Sequence, residues 1–240
     1  MKTIKLFPLT LFIVLLFLSF IVQSAQFGNS KQTRTVPAFH GISVSSGIDL
    51  YLTQKNTQEV RVEADEEDMD DLVTKVEGGI LKIYMKDRST WFDFDWKNND
   101  RKVYVSFTTL DWLQASAGSD VTSQSVLNLE NLDVDSSSGA DVKLELNASD
   151  VKAQSSSGSD INLKGKANSL DASASSGSDI NAGELLTQKC TANASSGSDI
   201  RVQVTEQLDA NASSGADISY SGNPNQKDIN ESSGGGVHGR

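Results

Sequence analysis

Apolar and polar residues alternate with a period of two through the second half of the chain, and the alternation restarts around a series of glycines. Aligned on Gly118, Gly139, Gly158, Gly177, Gly197, Gly215 and Gly234, the sequence repeats at intervals of 21, 19, 19, 20, 18 and 19 residues. Three places after the glycine stand Val121, Val142, Ile161, Ile180, Ile200 and Ile218. Seven places before it stand Leu132, Val151, Leu170, Cys190 and Leu208, and five before come Val134, Ala153, Ala172, Ala192 and Ala210. The residues between these columns are polar: Asp133, Lys152, Asp171, Thr191 and Asp209 in one, Asp135, Gln154, Ser173, Asn193 and Asn211 in another. A period of two marks strands with one buried face. A near-constant repeat of about 20 residues marks a solenoid in which each repeat is one coil. The pattern predicts a parallel β-helix, with like residues stacked about 4.8 Å apart along its axis.

Each coil turns through a corner of the type SSGSD. The glycine is expected at positive φ, where a Cβ is disfavoured. The serine before it and the serine or alanine after it are expected to point inward, since a tight corner accepts small side chains.

From Gln26 to Leu113 the texture changes. A cousin of the corner motif occurs at Gly47, followed by Asp49 and Leu50, and short strands are expected at EVRVEA, GGILKIYMK and RKVYVSF. The segment DEEDMDDLVTKV is read as the one helix, with acids at its N-terminal turn and Leu72 and Val76 on an apolar stripe. The expected fold is all-β: a β-helix over residues 114–240, ending in a polar tail, behind a mostly antiparallel N-terminal cap over residues 26–113 that covers the edge of the solenoid. Residues 1–25 precede both. Lys2 and Lys5, the apolar run from Leu6 to Val22, and then Ser24 and Ala25 form a signal-peptide pattern. A retained membrane helix is the rival reading, and the run is short for spanning a bilayer. The expected location is therefore outside the cytoplasm: periplasm, cell surface or extracellular space.

Charge narrows the partners. The 240 residues carry a formal net charge of -11. A nucleic-acid partner is not expected, because phosphate binding needs clustered Lys and Arg. The one cysteine, Cys190, has no intramolecular disulfide partner and falls in an apolar column, so a buried, inert thiol is expected.

Two features could carry chemistry. Two places after each glycine come Asp120, Asp141, Asp160, Asp179, Asp199 and Asp217. They should face outward in one row, and two readings stay open. Each Asp could accept hydrogen bonds from backbone N–H or serine groups at its corner, or the row could bind calcium. Calcium takes six to eight oxygens, and one Asp per coil supplies few. The stretch WFDFDW, with Trp91, Phe92, Phe94 and Trp96, leaves two readings open: one face buried against the cap, or an exposed aromatic–acid hairpin that is a candidate contact for carbohydrate or protein. The acidic run from Glu63 to Asp71 reads as a solvated helix start. His40 and His238 are the two histidines and lie near opposite ends of the mature chain, which disfavours a histidine-based triad. No phosphate loop, zinc spacing or dinucleotide motif occurs, so neither a cofactor nor a catalytic residue is expected.

The opening GISVSSGIDLYLTQ, the segments EVRVEADEEDMDDLVTKVEGGILKIYMK and VYVSFTTLDWLQASAGSDV, and the serial SSGSDI turns together resemble the head GIN domain family. Its members are exported bacterial proteins labelled autotransporter adhesins. The resemblance covers nearly all of the mature chain. It implies a right-handed, single-stranded β-helix and no catalytic residues. The expected function is a non-enzymatic exported envelope or surface protein that binds an envelope component, a glycan or a protein through an acidic and polar face. The alternatives are a ligand-free periplasmic scaffold and a polysaccharide-active β-helix enzyme, which would need an isolated pair of carboxylates.

Overall fold

The computed structural model describes residues 30–86 and 100–240. The leader expected over residues 1–25 and the aromatic stretch Trp91–Trp96 lie outside the described residues. The first strands are β1 (Ser30–Arg34), β2 (Gly41–Val44), β3 (Asp49–Gln54) and β4 (Glu59–Ala64), followed by one helical turn, α1 (Glu66–Met69). Then come β5 (Leu72–Glu77), β6 (Ile80–Met85), β7 (Lys102–Phe107), β8 (Trp112–Ala115), β9 (Asp120–Ser123), β10 (Leu127–Asn128) and β11 (Asn131–Ser137). Four long, bent strands each make most of a coil: β12 (Asp141–Ser156), β13 (Asp160–Ser175), β14 (Asp179–Ala194) and β15 (Asp199–Ala212). The last strands are β16 (Asp217–Ser221), β17 (Gln226–Glu231) and β18 (Gly236–Gly239). No helix among the described residues is long and apolar enough to cross a membrane.

The strands stack as a β-solenoid of about seven turns. Strands β12 to β15 pair in parallel, each one repeat out of step in sequence and in register on both sides of the corner, with mid-coil irregularities after Asn162, Ala182 and Thr187 that absorb the unequal repeat lengths. Val142 lies on Ile161, Ile161 on Ile180, Ile180 on Ile200 and Ile200 on Ile218. Val151, Leu170, Cys190 and Leu208 form a second row. Both rows are buried to 3% exposure or less, and each such aliphatic side chain contributes about 1.5–3 kcal/mol of hydrophobic stabilisation.

The corners have a common geometry. The residue before each glycine and the glycine itself both take positive φ, for example Ser157 (57°) with Gly158 (69°) and Ser176 (59°) with Gly177 (66°). A left-handed φ at a non-glycine residue costs roughly 1–2 kcal/mol. Coil-to-coil hydrogen bonds offset it: Gly158 N–H donates to the Ser176 carbonyl at 3.3 Å, Gly177 to Ser196 and Gly197 to Ser214, both at 3.2 Å. The left-handed pair turns the serine before the glycine outward, so Ser138, Ser157, Ser176, Ser196 and Ser214 are exposed. This corrects the expectation that this serine faces inward; simple alternation does not continue through two left-handed residues. The residue after the glycine does point inward, and Ser119, Ser159, Ser178 and Ser198 are fully buried. Their hydroxyls are satisfied across coils. Ser178 Oγ lies 2.7 Å from the Ser155 carbonyl oxygen of the preceding coil and accepts the Ser175 N–H at 3.2 Å.

The N-terminal half differs from the expected antiparallel cap. Strands β2 and β3 pair in parallel with β8 and β9, and on their other edges with β6 and β7. Leu50 lies on Val121, so the aliphatic row and its hydrogen bonds run through the division expected at residue 113. The antiparallel pairs are β1 with β4, β4 with β7 and β5 with β6. The expected helix through Val76 is also corrected. It ends at Met69, and Leu72–Glu77 is a strand. Gly78 (φ 60°) and Gly79 (φ 80°) join it to β6 as a two-residue hairpin loop, where residues at positive φ match the twist of the strands. The four-residue spacing of Leu72 and Val76 resembled a helical stripe, but both positions fit a half-buried strand equally well.

Glycines at the corner and mid-coil bend should respond differently to substitution. A Cβ on Gly177 would meet nothing within 4 Å, so Gly177→Ala is expected to cost about 1–2 kcal/mol from its φ alone. A Cβ on Gly165 would collide with the Leu146 carbonyl oxygen. Gly165→Ala should therefore cost about 1–3 kcal/mol more, from overpacking against rigid backbone. Urea unfolding of the two variants compares these directly.

Candidate functional site

Parallel stacking in register turns each outward position into a row, and two rows dominate. The first is the aspartate row. Asp120, Asp141, Asp160, Asp179, Asp199 and Asp217 stand on successive coils, and pairing of β3 with β9 adds Asp49 at its head. All are exposed or partly exposed. Like charges about 4.8 Å apart repel, and part of that cost is offset by backbone donors of the next coil. Asp199 N–H lies 3.2 Å from Asp179 Oδ1, and Asp179 N–H supports the Asp160 carboxylate. The support comes from the neighbouring coil, whereas the sequence reading placed it within each corner. Lys143 Nζ reaches Asp141 Oδ2 at 4.0 Å. Asp160 binds its proton more tightly than an ordinary aspartate, through partial burial first and then through Asp141 and Asp179. Asp49 shifts the same way, through burial and then Asp120, with Lys102 opposing. Among the described residues no three His, Cys, Asp or Glu side chains are grouped to hold a metal ion.

The second row lines a groove. On the outward side of the strands leading into the corners, Asp135, Gln154, Ser173, Asn193 and Asn211 stack in register. With Ser156, Ser175, Ser195 and Ser213 they line an open, polar groove of about 490 Å³. The hollow has a cause in the sequence. The outward side chains beside the corner, Ser156, Ser175, Ser195 and Ser213, are short and leave space where larger ones would fill it, while Ser155, Ala174 and Ala194 are buried on the inward face behind it. Asn211 Nδ2 donates to Asn193 Oδ1, and Asn230 Nδ2 to Asn211 Oδ1, both at 3.1 Å. These bonds hold the amides at fixed spacing and leave further donors and acceptors facing the groove.

Other expected residues sit apart. Cys190 is buried, and its thiol is pushed up to about 12 by burial and then by Asp171 and Asp209, so it stays protonated and unreactive. His40 pairs with Asp111 at 2.7 Å and His238 lies 3.6 Å from Asp217, both on the surface. Within the acidic run, Asp68 is buried and receives Arg101 Nε at 2.7 Å, an ion pair that the reading as a solvated helix start missed. The sequence reading also missed an aromatic stack. Tyr51 and Tyr104 lie 5.0 Å apart at 18°, and the Arg61 guanidinium sits 4.5 Å over Tyr104. The signal was present, since both tyrosines stand between two core aliphatics, in DLYL and KVYV. Because Tyr104 has Arg61 on one face and Tyr51 on the other, it offers no open ring face to a sugar.

The raised proton affinity of Asp160 has a defined consequence for stability. The native chain holds this proton to higher pH than the unfolded chain, whose value is near the ordinary 3.8. The contribution of Asp160 is most favourable below that value and declines as pH rises through the raised one. Asp160→Asn removes the charge and keeps an acceptor for Asp179 N–H. It should raise the melting temperature at pH 7, with the difference from the parent closing as pH falls below the ordinary aspartate range; a pH series of thermal melts measures this.

Comparison with known proteins places the chain. No curated protein matches it in sequence. A solved "putative adhesin" from Bacteroides fragilis shares its fold with a TM-score of 0.81 at 20% identity, covering 88% of this chain and 97% of its own. A "putative lipid binding protein" from Parabacteroides distasonis aligns with a TM-score of 0.72 at 20% identity, over 90% and 98% of the two chains. A "putative adhesin" from Parabacteroides merdae aligns with a TM-score of 0.68 at 17% identity, over 90% and 97%. These likenesses establish the shared solenoid. The sequence pattern of one family matches residues 38–224, and the chain belongs to that family, "Putative auto-transporter adhesin, head GIN domain".

Proposed function

We propose that this chain is an exported, non-catalytic binding module of the cell envelope or surface, and that the polar groove along its coils holds an extended partner. The observation that carries this reading is the groove itself. It presents amide and hydroxyl groups at one rung per coil, about 4.8 Å apart, on a rigid sheet. A chain molecule with regularly repeated hydroxyl or amide groups, such as a glycan, can satisfy several rungs at once. The family's adhesin label and the signal-peptide pattern support a role outside the cytoplasm. The carboxylates with raised proton affinity belong to one continuous row, flanked by like residues, which is unlike the isolated acid–base pair that a glycosidase uses. The lipid-binding description of one relative fits this groove less well, because its lining of Asp, Gln, Asn, Ser and two alanines holds no large aliphatic or aromatic side chain.

A glycan array probed with the purified chain, with and without calcium, tests the reading. Binding to one class of extended glycan is expected. Ser173→Tyr, which fills the groove, should weaken it by about tenfold or more, equivalent to roughly 1.4 kcal/mol, while Asp179→Asn leaves it unchanged. Loss with Asp179→Asn alone, only in calcium, would move the site to the aspartate row. Absence of binding to any glycan in either condition would leave a scaffold role as the better account.

A further inference from the structure

The two ends of the stack are finished differently. At the N-terminal end both ladders close within the chain on antiparallel strands: β5 lies on β6, and β1 lies on β4, which lies on β7. At the other end the ladders stop at β17 and β18, which among the described residues pair with β15 and β16. Every residue of β17 is exposed. A strand with one unpaired edge is a template for another strand.

The sequence of that edge is specific. Lys227 continues the column of Leu208, Ile229 that of Ala210, and Glu231 that of Ala212. In the preceding coil these positions are buried to 2% exposure or less. In β17 they become a cation, an aliphatic residue left 40% exposed, and an anion, at symmetric distances about Ile229. We propose that β17 is a docking strand for a second copy of this chain, paired antiparallel about a two-fold axis through Ile229. In that register Lys227 faces the second copy's Glu231, Ile229 packs on the second copy's Ile229, and Asp228 lies beside the second copy's Asn230. Directly opposed residues interact most strongly in an antiparallel pair. Moving the axis to Asp228 sets two aspartates against each other, and moving it to Asn230 sets Ile229 against Glu231. An axis between two residues opposes inward positions to outward ones. Of these registers, the one through Ile229 joins opposite charges and like aliphatics.

The local contacts leave both charges at the edge. Lys227 Nζ lies 5.8 Å from the Tyr220 ring centroid, and Glu231 Oε1 accepts the Val237 N–H at 2.6 Å. Tyr220 and Val237, partly buried at the same end, add apolar area. The antiparallel addition repeats what β5 does for β6 at the opposite end. A self-complementary patch closes as a dimer and does not propagate into a filament, and the inward charges disfavour pairing with unrelated strands. This assembly goes beyond the proposed binding role and does not depend on it.

Sedimentation velocity on the purified chain, over a range of concentrations, tests the proposal. The wild type is expected at twice the monomer mass. Lys227→Glu and Glu231→Lys should each be monomeric, because each places like charges in opposition. An equimolar mixture of the two should recover the dimer, and so should the double variant Lys227→Glu/Glu231→Lys. All these side chains are exposed, and an unchanged circular dichroism spectrum reports that each variant is folded. A wild type that is monomeric throughout, single reversals that keep the wild-type mass, or a mixture that stays monomeric would each overturn it.

Discussion

The structure depends on one constraint: each coil must hydrogen-bond to the next in register, including at the corner. The corner meets it with two successive left-handed residues, the second a glycine whose N–H donates to the following coil. A strained backbone is thereby tied into the ladder at every turn. Once corners stack on corners, the positions flanking them stack on their counterparts, and the unequal repeat lengths are absorbed mid-coil. Aliphatic residues become inward rows, buried serines become cross-coil links, and surface residues become rows of like chemistry.

The candidate sites follow from this stacking. The aspartates stand two places after the glycine, on the outward side, so in-register coils align their carboxylates. Partial burial, and then repulsion from Asp141 and Asp179, raise the proton affinity of Asp160, and the backbone N–H of Asp179 in the adjacent coil limits the rise. The groove arises on the other side of the corner, where the short outward side chains of Ser156, Ser175, Ser195 and Ser213 leave space beside the turning chain. The same rule makes the end of the stack informative. When Lys227 and Glu231 take positions that are apolar or small in earlier coils, the departure marks an edge with its own chemistry.

Much of the solenoid was legible in the sequence because its determinants are local and repeated. The Ile161, Ile180 and Ile200 row, the outward aspartates, the positive φ of the glycines and the burial of Cys190 all follow from parity counted from a glycine. Parity failed where the backbone leaves the extended region, as at Ser157 and Ser176, whose left-handed φ turns them outward. It was also ambiguous at Leu72 and Val76, where a spacing of four suits either a helix or a strand and the Gly78–Gly79 loop decides. Long-range placements were less legible. That Asp49 heads the aspartate row, that Tyr51 stacks on Tyr104 and that Arg101 reaches Asp68 all require knowing which distant coil lies next to which. The groove was visible only as a polar column, because which outward rows border one hollow depends on how the coils stack.

In-register stacking of the coils is the claim on which the groove, the aspartate row and the edge strand all rest. Nuclear Overhauser contacts between labelled isoleucine methyl groups measure it most directly. The account predicts strong contacts between Ile161 and Ile180 and between Ile180 and Ile200, which lie about 4.8 Å apart from coil to coil, with Ile161 and Ile200 showing far weaker contact across twice that separation. Isoleucines that show no contact with one another, or that exchange freely with solvent probes, would contradict it.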